Sequence, residues 1–334
     1  MPMRYARRLT RSFSDLLLPP GPLHFLVRDF RRWIDGDSFA LDLQLREGDK
    51  LMYYHGTTVL LTVAYDGKAE EVALSAASAY GNVPGYQDLM RRWPVNEHEK
   101  LLELVPEYLR SAVAFSGPQF YRNGQEGYWQ NRLALAFGPD WKRGMDWLII
   151  DREAVIGFNN DAERSAIQDP IQQKYLAVRA SLQQEDPSLW GKPDNKGLGA
   201  ESDFLALGPD GELFVIELKH GSNASGIYWG RLQVAVYGDI FRSALDEIAN
   251  DIRELTAQKV ELGLLPNEAL PRIPSTGFRT VIPVLIVAEP NDASSCWERL
   301  RDVLGRCPEA NALLVEVRNK LDPAPIPRVD RKST

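Results

Sequence analysis

Asp203, Glu217 and Lys219 are the residues whose types and spacing best suit chemistry. They stand in the stretch Glu201-Ser202-Asp203 through Ile216-Glu217-Leu218-Lys219, two apolar runs joined by Gly208-Pro209-Asp210-Gly211. That pattern predicts a β-hairpin. Glu217 and Lys219 then share one strand face about 6.5–7 Å apart, and Leu218 points the other way. If Leu207 lies opposite Leu213, Asp203 faces Glu217 and Glu201 faces Lys219. Phe204, Ala206, Phe214, Ile216 and Leu218 then form the opposite, apolar face. Opposed carboxylates with Cβ atoms roughly 4.5–5.5 Å apart repel unless a cation lies between them. Oxygen ligands without His or Cys suit Mg²⁺ or Mn²⁺. A one-residue slip would move the acids to opposite faces. The acid-x-Lys triplets Asp66-Gly67-Lys68 and Asp194-Asn195-Lys196 lie in turn or loop signals.

A second pair follows downstream. Gln233 and Tyr237 are spaced i,i+4, share a helix face, and begin 14 residues after Lys219. With Asp203 as the first acid, Glu217-Leu218-Lys219 as the acid-x-Lys element and Gln233 to Tyr237 as Gln-x-x-x-Tyr, the chain resembles the PD-(D/E)XK nuclease superfamily, in its RecB-like branch. The resemblance spans about 125–320 and leaves residues 1–100 uncovered. It departs from the pattern in having Ser202 where the literal motif has Pro. The upstream helical acid is unplaced, with Glu126 the first candidate and Glu163 the second.

The resemblance implies an α/β, restriction-endonuclease-like mixed sheet flanked by helices and metal-dependent hydrolysis of phosphodiesters. Asp203 and Glu217 would hold Mg²⁺ (or Mn²⁺), with the Leu218 carbonyl a further ligand. The metal would polarise the phosphate and lower the pKa of a bound water. Lys219 would orient or deprotonate that water, or stabilise charge developing on phosphate. Gln233 and Tyr237 would position backbone or water. Arg231, His220, Lys192 and Lys196 are candidates for phosphate contact.

The elements that must position these residues can be read from pattern. Residues 27–34 suggest a short helix. Phe39, Leu41, Leu43 and Leu45 alternate with polar residues, and further strand signals cover 51–55, 57–65 and 72–74. This predicts an antiparallel sheet of hairpins. Residues 97–137 read as helical. Residues 147–150 and 154–158 read as a strand pair around Asp151-Arg152-Glu153, and Asn159-Asn160-Asp161 caps a helix over about 162–184. A loop follows at 186–200. After the hairpin come a long helix over about 226–263, a strand at 281–288, a helix at 294–304 and a strand at 312–317. The expected division is an N-terminal β-rich accessory domain over 1–100, a nuclease-like domain over 101–320 and a disordered tail over 321–334.

Composition sets the outer limits. The chain has 334 residues, 44% hydrophobic and 25% charged, which excludes wholesale disorder. Lys+Arg 39 against Asp+Glu 46 gives −7, so a nucleic-acid site must be a local basic groove. Two cysteines, Cys296 and Cys307, exclude a disulfide framework and a Cys-rich zinc site, and read as buried packing. No apolar run is long enough to span a membrane. Arg4, Arg7, Arg8 and Arg11 precede the first acid, Asp15, a composition shared by transit peptides and by basic first helices. The bland expectation is a cytoplasmic protein.

Among weaker features, His24, His55 and His98 lack ligand spacing. The Gly221–Gly226 stretch offers an anion nest or a plain helix entry. Tyr53-Tyr54-His55 with Arg46 and Lys50 offers a stacking platform or sheet packing. Three functions are expected in descending order. The first is a Mg²⁺-dependent nuclease on DNA rather than RNA, in repair or defence. The second is a catalytically degenerate nuclease fold for nucleic-acid binding or protein assembly. The third is a hydrolase of other phosphoesters. A protein partner is expected to act through the N-terminal domain.

Overall fold

The computed structural model describes residues 3–121, 125–191, 197–199 and 201–318. The tail at 321–334 and Lys192 and Lys196 lie outside the described residues. The fold is α/β, with two open sheets flanked by helices. Two compact units divide the described residues, one drawn from 6–150 and 251–271, the other from 3–5, 151–250 and 272–318.

The first unit opens with helices α1 (Arg11–Leu17) and α2 (Phe25–Arg28). Its sheet is an antiparallel meander of β1 (Asp42–Arg46), β2 (Lys50–His55), β3 (Thr58–Asp66), β4 (Glu71–Ser75) and β5 (Arg92–Pro94). Leu45 pairs with Leu51 and Val63 with Leu74, and all four side chains are buried, as the two-residue period requires. A bulge shifts the register between Tyr53 and Tyr54. The short α3 (Tyr86–Leu89) precedes β5, and α4 (His98–Phe120) and α5 (Glu126–Ala136) follow it.

These last two helices belong with this sheet. Tyr108 of α4 donates its hydroxyl to the Leu60 carbonyl at 3.1 Å. Asn131 of α5 donates to the carbonyls of Phe39 at 3.2 Å and Ala40 at 3.0 Å. The unit therefore runs to Ile150, not to about residue 100, and regains residues 251–271 from much later in the chain. Lys259 from that returning segment is buried and donates to Gln44 at 2.7 Å and the Ile150 carbonyl at 2.6 Å. The expected boundary near residue 100 fails because an apolar helix face does not record which sheet it covers.

Tyr53, Tyr54, His55 and Arg46 are all buried, so they pack the sheet and offer no stacking platform. His55 lies 2.7 Å from the Ala40 carbonyl through Nδ1 and 3.9 Å from the Tyr121 ring centre.

The second sheet has the order β10-β9-β8-β7-β6. Its members are β6 (Leu148–Ala154), β7 (Ser202–Leu207), β8 (Glu212–His220), β9 (Thr280–Ala288) and β10 (Leu313–Val317). β7 and β8 are antiparallel, whereas β8, β9 and β10 run parallel. Its helices are α6 (Asp161–Glu185), α7 (Pro187–Trp190), α8 (Ala224–Glu261) and α9 (Cys296–Arg306). Asn160 caps α6, accepting from the Glu163 N–H. The expected strand pair at 147–158 is instead the single strand β6. Asp151 and Arg152 are buried inside it, not exposed in a turn. Cys296 and Cys307 are buried free thiols. Among the described residues no helix is long and apolar enough to cross a membrane.

Two outcomes follow. A chain beginning at Leu101 would strip α4 and α5 of the sheet that buries Tyr108, Leu109 and Trp129. We expect it to lose cooperative thermal unfolding by circular dichroism; a sharp transition in that fragment would restore the boundary near residue 100. His55 has its pKa pushed down by burial, against the opposing Ala40 carbonyl and Asp37. A depressed histidine adds stability above its unfolded pKa of about 6.5, and that stability is lost as pH falls towards the folded pKa. The His55 resonances in an NMR titration should show a midpoint below that of a free imidazole.

Candidate functional site

The turn after β7 sets the geometry. The Gly208 N–H donates to the Glu212 carbonyl at 2.9 Å, and the Asp210 N–H to the Glu212 carboxylate at 2.9 Å. Gly211 takes φ 84°, a conformation open to glycine. Leu207 pairs with Leu213 and Phe204 with Ile216, the expected register. Continued by one position, it sets Asp203 beside the Glu217-Leu218-Lys219 run. The Leu218 N–H donates to Asp203 Oδ2 at 2.7 Å.

Lys219 forms an ion pair with Glu217. The Glu217 side chain is 2% exposed and that of Lys219 12%, so the pair sits where solvent reaches only its edge. Burial pushes the Asp203 carboxyl up. The positive charges of Lys219 and Arg152 and the Leu218 N–H pull it back, while Glu153 on β6 adds to the rise. Arg152 is fully buried, and Glu153 stands at φ 50°. Sequence reasoning missed both; in isolation Asp151-Arg152-Glu153 has the composition of a turn, and only the burial of Asp151 and Arg152 would have distinguished it.

Helix α8 covers the same face of the sheet. A Cβ on Gly230 would meet Leu285 at 2.9 Å and the Lys219 stem at 3.7 Å. Gln233 donates to the Tyr237 hydroxyl at 2.8 Å, and that hydroxyl reaches the Leu198 carbonyl at 3.4 Å. The Tyr237 phenol is pushed well up, chiefly by burial and then by the negative charge of Glu217, with Asp203 and Glu201 adding to it. Gln233 and Tyr237 thus share one helix face, as their spacing predicts, and Tyr237 lies in the field of the carboxylates. Residues 197–199 lie over them, held by Gln172 of α6, which donates to the Gly199 carbonyl at 2.8 Å and accepts from the Leu198 N–H at 3.2 Å. Gln172 had no signal in the sequence, because its partners are backbone groups.

Other candidates take different places. Glu201 is exposed at the start of the hairpin. Arg231 is buried, donates to the Ala312 carbonyl and has its pKa lowered to about 10 by burial, so it braces the segment before β10 and is not set out to meet phosphate. His220 turns back on Ser222, 2.8 Å from its hydroxyl. Glu126 belongs to the unit of the first sheet. Glu163 accepts from Asn159 at 2.9 Å in the α6 cap. The Gly221–Gly226 stretch is a helix entry, with the Gly221, Asn223 and Gly226 N–H groups donating to Ala288, His220 and Asn223.

Asp203 and Glu217 are the acidic pair, with the Leu218 N–H on Asp203. Among the described residues, no group of three or more His, Cys, Asp or Glu side chains is arranged to hold a metal by itself. Two carboxylates would leave the remaining positions of a hard cation to carbonyl and water. Comparisons with protein-family models, curated proteins and solved structures give no match.

The packing of Gly199 can be tested. It has φ 99°, and a Cβ there would collide with the Tyr237 hydroxyl and stand 2.9 Å from the Gln233 amide. Gly199→Ala should lower stability by at least about 1 kcal/mol. Adding Tyr237→Phe should recover part of the loss, read from thermal melts of the single and double variants.

Proposed function

We propose that this chain is a Mg²⁺- or Mn²⁺-dependent nuclease, hydrolysing phosphodiester bonds of DNA on a restriction-endonuclease-like core. The observation that carries the reading is the hydrogen bond from the Leu218 N–H to Asp203 across the β7–β8 register, beside the Lys219–Glu217 ion pair. A buried Glu217 beside a half-buried Asp203, with a lysine at their edge, has little structural use, since desolvation opposes the charges gathered there. Hydrophobic residues at these positions would pack a sheet at lower cost.

The donor set fits a hard cation: carboxylate oxygens and a main-chain carbonyl, with no thiol or imidazole. Asp203 and Glu217 would hold the ion, with the Leu218 carbonyl. Bound there, it supplies Lewis acidity towards a phosphate oxygen and a more acidic water. Lys219, its stem covered by Gly230 and its ammonium on Glu217, is positioned to hold an attacking water or to neutralise charge on phosphate. Gln233 and Tyr237 supply neutral hydrogen-bonding groups beside the acids, in keeping with orientation rather than proton transfer. The sheet order, with the β8-α8-β9 crossover joining parallel strands, supports the same core.

Two substitutions separate this reading from that of a catalytically inert nuclease fold. Mg²⁺ should raise the melting temperature of the wild type by mass action. Asp203→Asn keeps an acceptor for the Leu218 N–H, so the fold should persist while the Mg²⁺ shift and cleavage of labelled DNA both disappear. Lys219→Met should keep the shift and lower kcat by about 10²–10⁴-fold. A wild type that neither shifts with Mg²⁺ nor cleaves would make the chain a binding or assembly module; cleavage undiminished in both variants would place the active site elsewhere.

A further inference from the structure

Helix α8 carries a second feature one turn before Gln233. Trp229 stands four residues before Gln233 and eight before Tyr237, on the same side of the helix. Along this part of α8, Gly226, Trp229 and Gln233 retain partial exposure, while Ile227, Tyr228 and residues 230–232 and 234–238 are buried. Positions i, i+3 and i+7 make one stripe. It leads down the helix to Tyr237, and Gly230, next to Trp229, lies over the Lys219 stem, which a Cβ there would meet at 3.7 Å. The only large apolar surface on the stripe is the Trp229 indole.

That indole packs against two other rings. The Trp190 ring centre lies 5.4 Å away and that of Tyr228 5.0 Å away, at interplanar angles of 42° and 67°. Trp190 and Tyr228 meet edge to face at 5.5 Å, and both are buried. The Arg299 guanidinium lies 5.5 Å from the Tyr228 ring centre. A surface indole with no function gains little from such a mount. An indole fixed by two buried aromatics loses little freedom when a flat ligand stacks on it.

Resting on the nuclease reading, we propose that Trp229 is a stacking platform for an unpaired nucleobase next to the phosphate held at Asp203 and Glu217, so that the substrate is single-stranded at the site. A base inside a duplex has both faces covered and cannot lie against the indole. The net charge of −7 agrees with this choice. Tight duplex binding depends on many phosphate contacts by Lys and Arg, whereas base stacking adds affinity that needs no basic surface.

The test measures binding and cleavage separately. Fluorescence anisotropy with labelled oligo-dT and with a blunt hairpin duplex, in EDTA, reads binding alone. We expect the wild type to prefer oligo-dT. Trp229→Ala should weaken that binding roughly 5- to 150-fold, equivalent to about 1–3 kcal/mol for one stacked base, while Trp229→Phe keeps most of it. Thermal melts verify that both variants fold. An abasic residue walked along the oligonucleotide gives an independent reading on unaltered protein, and one position should lose affinity by a similar factor. Equal binding by wild type and Trp229→Ala, no sensitive abasic position, or preference for duplex would each overturn the proposal. Trp229-dependent binding of oligo-dT without Mg²⁺-dependent cleavage would uphold the platform and reject the nuclease. Cleavage with no dependence on Trp229 would do the reverse.

Discussion

The four residues between β7 and β8 hold a register on which every charged group of the site depends. Glu212 closes the turn twice, through its carbonyl to Gly208 and its carboxylate to Asp210. The Arg279 N–H fixes the Gly211 carbonyl from β9's side at 2.9 Å. With the turn so tied, Leu213, Val215, Glu217 and Lys219 share a face that begins apolar and ends charged. A slip of one residue would bury Lys219 and Glu217 in the hydrophobic layer formed by Phe214, Ile216 and Leu218. Glu217 and Lys219 therefore lie towards the C-terminal end of β8, past the last β7 pair at Phe204 and Ile216 but still beside β9.

Confinement creates an electrostatic problem that the surrounding residues partly solve. Burial works against the charged form of Asp203, and Glu153 on the neighbouring strand makes it worse. Lys219 and Arg152 act in the other direction. Lys219 is paired with Glu217 at the edge of the site, whereas Arg152 is fully enclosed, so the two cations differ in what they can do. An enclosed guanidinium offers a fixed counter-charge. A lysine at the rim can exchange its partner, which is the property a charge-stabilising group in a reaction requires.

Much of this was legible in the sequence for local reasons. Turn chemistry at 208–211 and strict alternation on either side specify the hairpin, its register and its apolar face. The spacing of Gln233 and Tyr237 specifies their common helix face. Residues whose roles depend on distant segments were not legible. Asp151-Arg152-Glu153 has the composition of a turn but lies in β6, where Asp151 accepts from the Tyr5 hydroxyl at 2.6 Å and Arg152 lies in the field of Asp203. Arg231 has the composition of a surface residue, yet its guanidinium is consumed by the Ala312 carbonyl. The return of 251–271 to the first unit leaves no local trace at all. Trp229 could have been found by following the Gln233–Tyr237 face one turn back.

The approach of α8 to the sheet ties these observations together. Gly230 and Gly238 lie inside a helix, where each glycine costs about 1 kcal/mol relative to alanine. Their contacts explain the expense: a Cβ at Gly230 would stand 2.9 Å from Leu285, and one at Gly238 3.2 Å from Pro283. Leu285 and Pro283 are the register partners of Glu217 and Val215, so the helix descends onto the face that carries the charges. Glycine at these two points lets the helix backbone come closer than any side chain would permit. Tyr237 can then share the field of Glu217 and Asp203, and the Lys219 stem is covered while its ammonium stays at the rim. A larger residue at 230 would lift the helix start, carrying Trp229 and Gln233 away from the acids, while most of the apolar layer further along α8 stayed in contact. The two glycines thus serve the geometry of the strand end more than the stability of the helix that contains them.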